Sequence, residues 1–333
     1  MTPMKALVYT NPNEVTYRDE PDPVLAAHEV VLRIDAVGIC GSDLHAYHGH
    51  DPRRVPPLIL GHELAGTVVA GPGIGTRYTA NPLITCGVCE YCVQGRNNLC
   101  ANRTMVGMTR PGAFAERMSI PVSSLIAIPQ DMTPVMAALT EPAATALHAL
   151  NLSMRALHRP LPECSLVIIG GGAIGMLAAL LARSYGCGDV RVAETNALRR
   201  ASLEQHARCR AFDPSAQKAV ADNAADLVVD AVGAKATRNA AFAAVKPGGV
   251  IMHVGLQDWA SEIDMRKLTL AEITLLGTYT YSTADLRATV AALQRGAFGD
   301  LALVEQRPLA DGARAFQDLH QGRSASAKIV LHP

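Results

Sequence analysis

The sequence predicts an α/β protein with two domains, one rich in β-strands and one built around a doubly wound parallel sheet. Short β-like runs separated by frequent Gly and Pro fill the first 150 residues. A glycine-rich turn near residue 170 lies between a strand-like and a helix-like apolar run, and strands and helices alternate after it. The chain has 333 residues, 49% of them hydrophobic, which supplies two cores at roughly 100–200 residues per domain.

The composition argues against several classes of function. Lys plus Arg equals Asp plus Glu at 30 each, and no basic run is present, so nucleic acid is not expected as a partner. The longest apolar run, residues 166–182, is short for a membrane span and carries four glycines. With no apolar stretch of signal-peptide length at the start, we expect a cytoplasmic protein without a membrane partner. In that reducing compartment clustered cysteines indicate a metal before disulfides.

The β-rich region begins with strand-like runs such as KALVYT (5–10) and EVVLRIDAVG (29–38). Two motifs follow that hold Cys40, His62 and Glu63. Thiolate, imidazole and carboxylate together suit a zinc site that keeps one position for water or substrate. Each residue alone is weak evidence, because a single cysteine is usually a small buried hydrophobic residue.

Four of the eight cysteines fall within fifteen residues, with the spacing Cys-x2-Cys-x2-Cys-x7-Cys. They are Cys86, Cys89, Cys92 and Cys100. Zn²⁺ binds thiolates tetrahedrally at about 2.3 Å, and four protein ligands leave no open position. We therefore interpret this loop as a structural zinc site. An iron–sulfur cluster uses the same ligand type and stays an alternative, as does a redox loop without metal.

The glycine-rich turn has the spacing Gly170-x-Gly172-x-x-Gly175 and follows a strand-like apolar run. The first glycine permits the tight turn, the second lets the backbone approach a pyrophosphate, and the third lets helix pack on strand. Ala173 and Ile174, between the second and third glycines, are expected to bind the dinucleotide as well. The helix N-terminus then offers unpaired N–H groups and a partial positive charge to phosphates. A strand before and a helix after the glycines indicate a dinucleotide site.

The next strand-like run, DVRVAET (189–195), ends near Glu194, about 20 residues past the glycines. A carboxylate there binds the adenine ribose hydroxyls and repels a 2′-phosphate, which favours NAD over NADP. Arg199 and Arg200 could attract that phosphate, so NADP stays an alternative. A solvated strand-end charge is a second alternative for Glu194.

Later segments keep the alternation. The runs at 226–233, 248–256 and 273–279 are strand-like, and the run at 236–245 is helix-like. Lys246-Pro247-Gly248-Gly249 is expected to stop that helix. Strands separated by helices predict a parallel, doubly wound sheet.

Four motifs, taken in order, resemble the zinc-containing medium-chain alcohol and polyol dehydrogenase family, and the resemblance covers nearly the whole chain. They are Gly-Ile-Cys-Gly-Ser-Asp (38–43), Gly-His-Glu (61–63), the cysteine loop (86–100) and Glu141-Pro142. Glu141-Pro142 stands where many alcohol dehydrogenases place a cysteine, which is typical of the sorbitol, threonine, butanediol and sugar-alcohol-phosphate dehydrogenases. The resemblance implies a GroES-like zinc-binding catalytic domain at 1–150, completed by 279–333, and a Rossmann domain at 151–278.

The resemblance also implies roles for single residues. It gives the catalytic zinc three ligands and a further carboxylate that binds directly or through water: Cys40, His62, Glu63 and Glu141. It places Ser42 beside the substrate oxygen, His45 on the path of the proton to solvent, and Asp43 behind His62 to fix its tautomer. Arg199 commonly accompanies NAD. The residues implied to approach the nicotinamide and its ribose are Val254, Gly255, Leu256, Thr278 and Tyr279.

The implied activity is the reversible, zinc- and NAD-dependent oxidation of a secondary alcohol, diol or polyol, by a homodimer or homotetramer with one catalytic and one structural zinc per chain. Ala46 and Thr280 stand where sorbitol dehydrogenases carry polar contacts, so sorbitol itself is not expected. Arg53 and Arg54 lie near the expected cleft mouth, which keeps a sugar-alcohol phosphate as an alternative substrate, beside L-threonine. Two solvated loop arginines are the plainer interpretation. A non-catalytic zinc- and dinucleotide-binding protein is the remote alternative.

Overall fold

The structure is a computed structural model, and it describes residues 3–216, 220–302 and 304–333. The N-terminal part is rich in short strands, which are β1 (Met4–Asn11), β2 (Glu14–Glu20), β3 (Glu29–Gly38), β4 (Leu58–Ile59), β5 (Glu63–Ala70), β6 (Arg77–Ala80), β7 (Leu83–Ile84), β8 (Thr104–Met105), β9 (Arg117–Pro121) and β10 (Leu125–Ala127). Its α-helices are α1 (Gly41–Tyr47), α2 (Glu90–Val93), α3 (Pro134–Ala138) and α4 (Thr140–Ala156).

The middle part alternates strands and helices, as the sequence predicts. Its strands are β11 (Ser165–Ile169), β12 (Asp189–Ala193), β13 (Arg210–Phe212), β14 (Ala225–Asp230), β15 (Val245–His253) and β16 (Thr274–Gly277). Its helices are α5 (Ala173–Ser184), α6 (Ala197–Ala207), α7 (Lys235–Ala244) and α8 (Met265–Leu270). The chain ends with α9 (Thr283–Gln294), β17 (Val304–Pro308), α10 (Gly312–His320) and β18 (Lys328–His332). Short 3₁₀ helices lie at Asn97–Leu99, Val122–Ser124, Leu161–Glu163 and Leu309–Asp311.

The middle strands form a six-stranded parallel sheet in the order β13-β12-β11-β14-β15-β16. The strand order reverses between β11 and β14, which is the crevice where open α/β sheets bind ligands. The β11 strand is an apolar run because helices cover both faces of a parallel sheet. The sheet therefore opens its ligand crevice directly after the glycine-rich turn.

The N-terminal strands form a seven-stranded sheet in the order β10-β6-β5-β3-β18-β17, with β9 also paired to β3. The last strand, β18, pairs antiparallel with β3, so the C-terminal segment completes the sheet of the N-terminal part. A three-stranded sheet (β2-β1-β4) and a two-stranded one (β7-β8) complete this part. Because β18 lies beside β3, the residues at its start reach the loop that follows β3.

Helix α4 connects the two parts. It packs against α5 and α9, and its buried face belongs to the largest apolar core, which also includes residues of β11 and α5. A second core fills the β-rich part, and a third lies on the other face of the parallel sheet. Ser282 and Asp285 form a capping box at the start of α9, which fixes where that helix begins beside α4.

The predicted strands and helix of the middle part are present, with shifted ends. The predicted helix at 236–245 is α7 and ends at Ala244, before the Lys-Pro-Gly-Gly run. That run does not form a loop, since β15 begins at Val245 and includes Pro247. The pairing of β14 with β15 shifts register between Ala225 and Leu227, which accommodates a proline at the start of a strand. None of the described helices has the length and apolar character needed to cross a membrane.

Candidate active site

Three metal-binding side chains meet where β3, α1 and β5 come together. Their ligand atoms all lie within 4.8 Å of one another, and we call this group the cleft site: Cys40, His62 and Glu63. Cys40 precedes α1, and its backbone N–H donates to Asp43 Oδ2 at 3.0 Å. A side chain at Gly38 would collide with the Glu63 carboxylate, so only glycine lets Glu63 fill this place.

Asp43 lies beside His62. Its Oδ1 is 3.5 Å from His62 Nδ1, and both side chains are buried. Burial lowers the pKa of His62, but the charges of Asp43 and Cys40 raise it well above its ordinary value. With Nδ1 turned to Asp43, the other ring nitrogen is the one left for a metal. Asp43 therefore has the contact that the sequence analysis expected for it.

A buried lysine contacts Glu63 of the cleft site, and the sequence analysis did not predict this contact. Lys328 Nζ donates to Glu63 Oε1 at 2.6 Å, to Glu63 Oε2 at 2.7 Å and to the Ile39 carbonyl at 2.8 Å. Burial lowers the pKa of Lys328, but the charges of Glu63 and Cys40 raise it. The signal was a lysine that opens the apolar C-terminal strand KIVLHP, since a lysine in a buried strand needs a charged partner.

Glu141 lies outside the three-donor group, at the start of α4. Its Oε1 accepts a hydrogen bond from the buried Tyr281 hydroxyl at 2.5 Å. Burial raises the pKa of Glu141 to about 7. The charge of His62 lowers this pKa, and the charge of Glu63 raises it. Glu141 is therefore close enough to His62 and Glu63 for their charges to act on its pKa. The structure brings together Cys40, His62 and Glu63 and places Glu141 beside them.

An open cleft of about 630 Å³ lies between the β-rich part and the parallel-sheet part, and it approaches the cleft site through Ser42, two positions after Cys40, although none of the three donors lines it. One wall carries Ser42, His45, His50, Asp51 and Arg53, and the other carries Arg238, His253, Leu256, Gln257, Asp258 and Trp259. Burial lowers the pKa of His45, and the charges of His50 and Arg54 lower it further. The charge of Asp51 raises the pKa of His45 and offsets part of this decrease. A neutral His45 is able to accept a proton at pH 7.

Arg53 and Arg54 differ sharply, although the sequence analysis treated them as a pair. The Arg53 side chain is 63% exposed and donates through Nε and Nη2 to both oxygens of Asp51. The Arg54 side chain is 1% exposed. It donates to Asp51 Oδ2 at 2.6 Å, to the Gly107 carbonyl at 3.0 Å and to Ser42 Oγ at 3.3 Å. The interpretation of two solvated loop arginines is wrong for Arg54, because its partners bury it.

The cysteine loop assembles as a second group, the cysteine lobe (residues 86–100). Its four sulfurs lie within 4.8 Å of one another, and all four cysteines are free thiols. Backbone N–H groups of Val88 and Cys89 lower the pKa of Cys86 to about 6. Four thiol sulfurs at this spacing fit a tetrahedral zinc.

The cysteine lobe contacts the segment that leads into α9. Asn98 donates to the Tyr279 carbonyl at 2.8 Å, and the Thr283 backbone N–H donates to Asn97 Oδ1 at 3.1 Å. Arg103 stacks over the Tyr279 ring with its guanidinium carbon 4.6 Å from the ring centroid. The lobe therefore holds the chain between β16 and α9.

The glycine-rich turn lies between β11 and α5, at the point where the sheet order reverses. A side chain at Gly175 would collide with the Gly170 carbonyl, so this close contact of helix and turn requires glycine. No atom of the described residues lies within 4 Å of the position a side chain would take at Gly172, which leaves room for a ligand. Helix α5 begins at Ala173, followed by Ile174, with its free N–H groups facing the turn.

Glu194 follows β12 and faces the same turn. Its Oε2 accepts from the Gly171 N–H at 2.9 Å, and its Oε1 accepts from the Asn196 N–H at 2.8 Å. Arg199 Nη1 lies 4.0 Å from Glu194 Oε2, whereas Arg200 donates to the Glu194 and Thr195 carbonyls. An apolar cavity of about 470 Å³ opens beside this edge of the sheet, with Ile169, Thr195 and Phe212 among its lining residues.

The residues expected near the nicotinamide fall on the loops after β15 and β16. The backbone N–H groups of Val254 and Gly255 donate to the Asp230 carbonyl, and Leu256 lines the cleft. The Thr278 hydroxyl is buried without a partner among the described residues. The Tyr279 ring is held by Arg103, as described above. Thr280 has a backbone φ of 47°, which is uncommon for a β-branched residue and occurs where a site constrains the chain.

Comparisons with known proteins agree with this geometry. The pattern of the Alcohol dehydrogenase GroES-like domain matches residues 26–130, and that of the Zinc-binding dehydrogenase matches residues 173–295. The chain is 30% identical over 346 residues to an L-threonine 3-dehydrogenase from Chelativorans sp., and the match covers 98% of each chain. The chain belongs to the zinc-containing medium-chain alcohol and polyol dehydrogenase family. This dehydrogenase is also 29% identical to an L-galactonate-5-dehydrogenase from Escherichia coli, over 95% of each chain.

A solved structure supports the same assignment. A zinc-binding dehydrogenase from Sinorhizobium meliloti, bound to NADP, matches with a TM-score of 0.88 and 29% identity, covering 100% of both chains. The predicted family and fold class are confirmed. This dehydrogenase is accordingly an oxidoreductase that uses zinc and a nicotinamide dinucleotide to act on small-molecule alcohols.

Proposed function

We propose that this dehydrogenase oxidises an unphosphorylated secondary alcohol, diol or polyol with NAD, and that the cleft site holds its catalytic zinc. One observation carries the proposal: a thiol, an imidazole and a carboxylate lie within 4.8 Å of one another beside a cleft lined by Ser42 and His45. Three protein ligands and an open cleft are typical of a catalytic zinc site.

The charges around the cleft site fit such a metal. When bound to Cys40, His62 and Glu63, zinc would serve as a Lewis acid that makes an alcohol oxygen acidic near neutral pH. Asp43 orients His62, and Lys328 holds the Glu63 carboxylate in place. Glu141 is bound to Tyr281 and lies outside the three-donor group, which favours its contact with the site through water. The four cysteines of the cysteine lobe hold a structural zinc.

Ser42 and His45 carry the alcohol proton away from the cleft. The Ser42 oxygen accepts the proton from the alcohol oxygen as its own proton passes to His45, whose neutral ring has a free lone pair. His45 is half-buried on the cleft wall, and the exposed His50 lies beside it with ring centroids 6.4 Å apart. The proton then reaches solvent at the cleft mouth.

The dinucleotide occupies the crevice at the glycine-rich turn. The Glu194 carboxylate is fixed by two backbone N–H groups, where it would bind ribose hydroxyls and repel a 2′-phosphate. Arg200 donates to two backbone carbonyls, which leaves it little capacity for a phosphate, whereas the Arg199 guanidinium lies 4.0 Å from the Glu194 carboxylate. We propose that the dinucleotide contacts Gly170, Gly172, Ala173, Ile174, Gly175, Glu194, Arg199, Val254, Gly255, Leu256, Thr278 and Tyr279.

The substrate is expected to be an unphosphorylated alcohol. L-galactonate 5-dehydrogenase and L-threonine 3-dehydrogenase, the relatives named above, act by name on carbons that bear secondary hydroxyls. Arg54 is buried and Arg53 uses its fork on Asp51, so neither offers a bidentate site for a phosphate. Ala46 is buried and adds no polar contact.

We also propose a cytoplasmic homodimer or homotetramer with a catalytic domain at 1–150 and 279–333 and a dinucleotide domain at 151–278. The GroES-like pattern (26–130) falls within the first of these domains, and the zinc-binding dehydrogenase pattern (173–295) begins in the second and extends past its proposed end. Strand β16 is an edge of the parallel sheet with Leu275 partly exposed, and Met265 and Leu270 on α8 are exposed nearby. An exposed apolar sheet edge pairs readily with a second copy.

A substrate panel tests the proposal. The zinc-loaded protein would be assayed for NADH formation with secondary alcohols, vicinal diols, polyols, polyol phosphates and L-threonine, each with NAD⁺ and NADP⁺. We expect turnover of an unphosphorylated secondary alcohol, with NAD⁺ preferred. The substrate class would be contradicted if no alcohol of the panel were oxidised by protein that contains two zincs per chain. It would also be contradicted if the enzyme required a phosphate on the substrate and this requirement disappeared in Arg53→Ala. A preference for NADP⁺ would contradict the role of Glu194.

A further inference from the structure

Arg54 connects a buried carboxylate and a backbone carbonyl to the serine on the cleft wall. Its Nε and Nη1 bind the Gly107 carbonyl and Asp51, and these two bonds fix the plane of the guanidinium. Nη2 then points to Ser42 Oγ at 3.3 Å. Because its side chain is 1% exposed, this direction does not depend on solvent. The guanidinium is held by two partners, and its remaining nitrogen, Nη2, donates to the serine on the cleft wall.

This contact restricts what the Ser42 hydroxyl can do. A guanidinium only donates hydrogen bonds and stays protonated, so the Ser42 oxygen must accept from Arg54. The single proton of the hydroxyl therefore points away from Arg54. One lone pair of the oxygen is used by Arg54, and the other lone pair and the proton are left for groups in the cleft.

The charge of Arg54 acts in the same direction. A fixed cation next to Ser42 disfavours an extra proton on its oxygen, which favours passing the proton on to His45. Arg54 also helps keep His45 neutral, since burial lowers the pKa of His45 and the charges of His50 and Arg54 add to that effect. The charge of Asp51 raises the pKa of His45 and so opposes this effect. Arg53 donates a hydrogen bond to the same Asp51 carboxylate.

We propose that Arg54 is a positioning residue for proton release: it fixes the Ser42 hydroxyl so that one lone pair accepts the alcohol proton while the serine proton leaves toward His45. The inference rests on the function proposed above, because it acts through Ser42. One proton enters the Ser42 oxygen and one leaves it, and the electron pair of the broken O–H bond stays on the alcohol oxygen.

A double-mutant cycle tests this inference. The variants are Ser42→Ala, Arg54→Met, Arg54→Lys and the double variant Ser42→Ala/Arg54→Met, assayed with the panel alcohol of highest kcat/KM. Arg53 continues to bind Asp51 in the Arg54 variants, so the buried carboxylate keeps a partner. A matched control is Arg110→Met, since Arg110 likewise donates to a carboxylate (Glu29), a backbone carbonyl and a serine hydroxyl (Ser119).

We expect Arg54→Met to lower kcat about 10- to 100-fold, as removal of supporting contacts usually does, with KM and zinc content little changed. Arg54→Lys keeps the charge without the planar fork and should recover part of kcat. When Ser42→Ala is already present, adding Arg54→Met should lower kcat by less than about 2-fold, because the two residues act on the same step. The solvent deuterium isotope effect on kcat should rise in Arg54→Met and not in Arg110→Met.

The outcomes separate the inference from the proposed function. If Ser42→Ala keeps near-native kcat, the role of Ser42 fails and the role of Arg54 fails with it. If Ser42→Ala is impaired but Arg54→Met loses the same factor in both backgrounds, Arg54 acts through the fold and the inference alone is overturned. A melting temperature that falls in Arg54→Met with kcat unchanged also overturns it. Should Arg54→Met not fold, Arg54→Lys and Asp51→Asn/Arg54→Met serve for the same comparison.

Discussion

The cleft site and the cysteine lobe both bring metal-binding side chains within 4.8 Å of one another, but their surroundings differ. In the cleft site, His62, Glu63 and their partners Asp43 and Lys328 are buried. In the cysteine lobe, three of the four cysteines are partly exposed, and their sulfurs contact one another and backbone N–H groups. One site has its donors placed by buried charges of the protein, and the other has four like groups brought together near the surface.

The difference has a physical consequence for the role of a metal at each place. Four neighbouring thiolates repel one another, so the metal itself supplies much of the energy that holds such a lobe. In the cleft site, Lys328 balances Glu63 and Asp43 lies against His62, so the donors are held before any metal arrives. We therefore expect loss of metal to stop chemistry at the cleft site and to unfold structure at the cysteine lobe.

The largest expected effect is on turnover, from Cys40→Ala. Removing this thiolate should lower kcat at least about 10³-fold, since a Lewis acid contributes several kcal/mol at about 1.4 kcal/mol per tenfold. Metal analysis should find one zinc per chain in place of two, with the melting temperature little changed. Cys209→Ala, which removes a buried thiol from the parallel-sheet part, is the control and should keep both zincs. Near-native turnover of Cys40→Ala with both zincs present would remove Cys40 from the ligand set.

The second effect is on structure, from Cys89→Ser in the cysteine lobe. Loss of one thiolate should release the lobe zinc, which couples metal binding to local folding. If about 3 kcal/mol is lost, the melting temperature falls by roughly 4 °C, at about 2.1 cal/mol/K of unfolding entropy per residue over 333 residues. Trypsin should then cleave faster after Arg96 and Arg103, which are exposed, because the backbone around them loses its fixed conformation. Activity should also fall, because the lobe holds Tyr279 and Thr283 through Asn98 and Asn97. Unchanged trypsin resistance would mean that the lobe folds without metal.

The last effect is a difference between two losses of stability, measured with and without zinc, and it comes from Lys328→Met. Without the ammonium, Glu63 is a buried charge with no counter-charge in the zinc-free protein, which costs about 3–5 kcal/mol. In the zinc-loaded protein the metal supplies positive charge, so the cost should be clearly smaller. Thermal unfolding with zinc and after chelation, each against the wild type, measures the two costs.

The control for Lys328→Met is Lys246→Met. Lys246 Nζ also lies 2.7 Å from a carboxylate, that of Asp226, but far from either metal-binding group and 36% exposed. The loss of stability caused by Lys246→Met should be the same with and without zinc. Equal losses for Lys328→Met in the two conditions would show that Lys328 stabilises the fold without regard to the cleft site.

Much of the site could be predicted from the sequence because its parts are local. The cysteine spacing, the glycine-rich turn and Glu194 each lie within a short stretch whose chemistry depends on neighbours in the chain. Cys40, His62 and Glu63 lie in two short motifs, and the structure brings them together. The expectation of equivalent arginines at 53 and 54 was wrong, because burial depends on what packs against each residue.

What the sequence by itself determined is the fold class, the alternation of strands and helices, and the types of ligand at two metal-binding groups. These depend on short-range periodicity and spacing, which a single segment contains. Only the tertiary structure decided that Lys328 lies on Glu63, that Tyr281 lies on Glu141 and that Arg54 lies on Ser42. The first two contacts join residues more than 100 positions apart, and the third depends on a carbonyl 53 positions away that holds the guanidinium. Buried charges need partners, and the packing of distant segments selects which partner each one has.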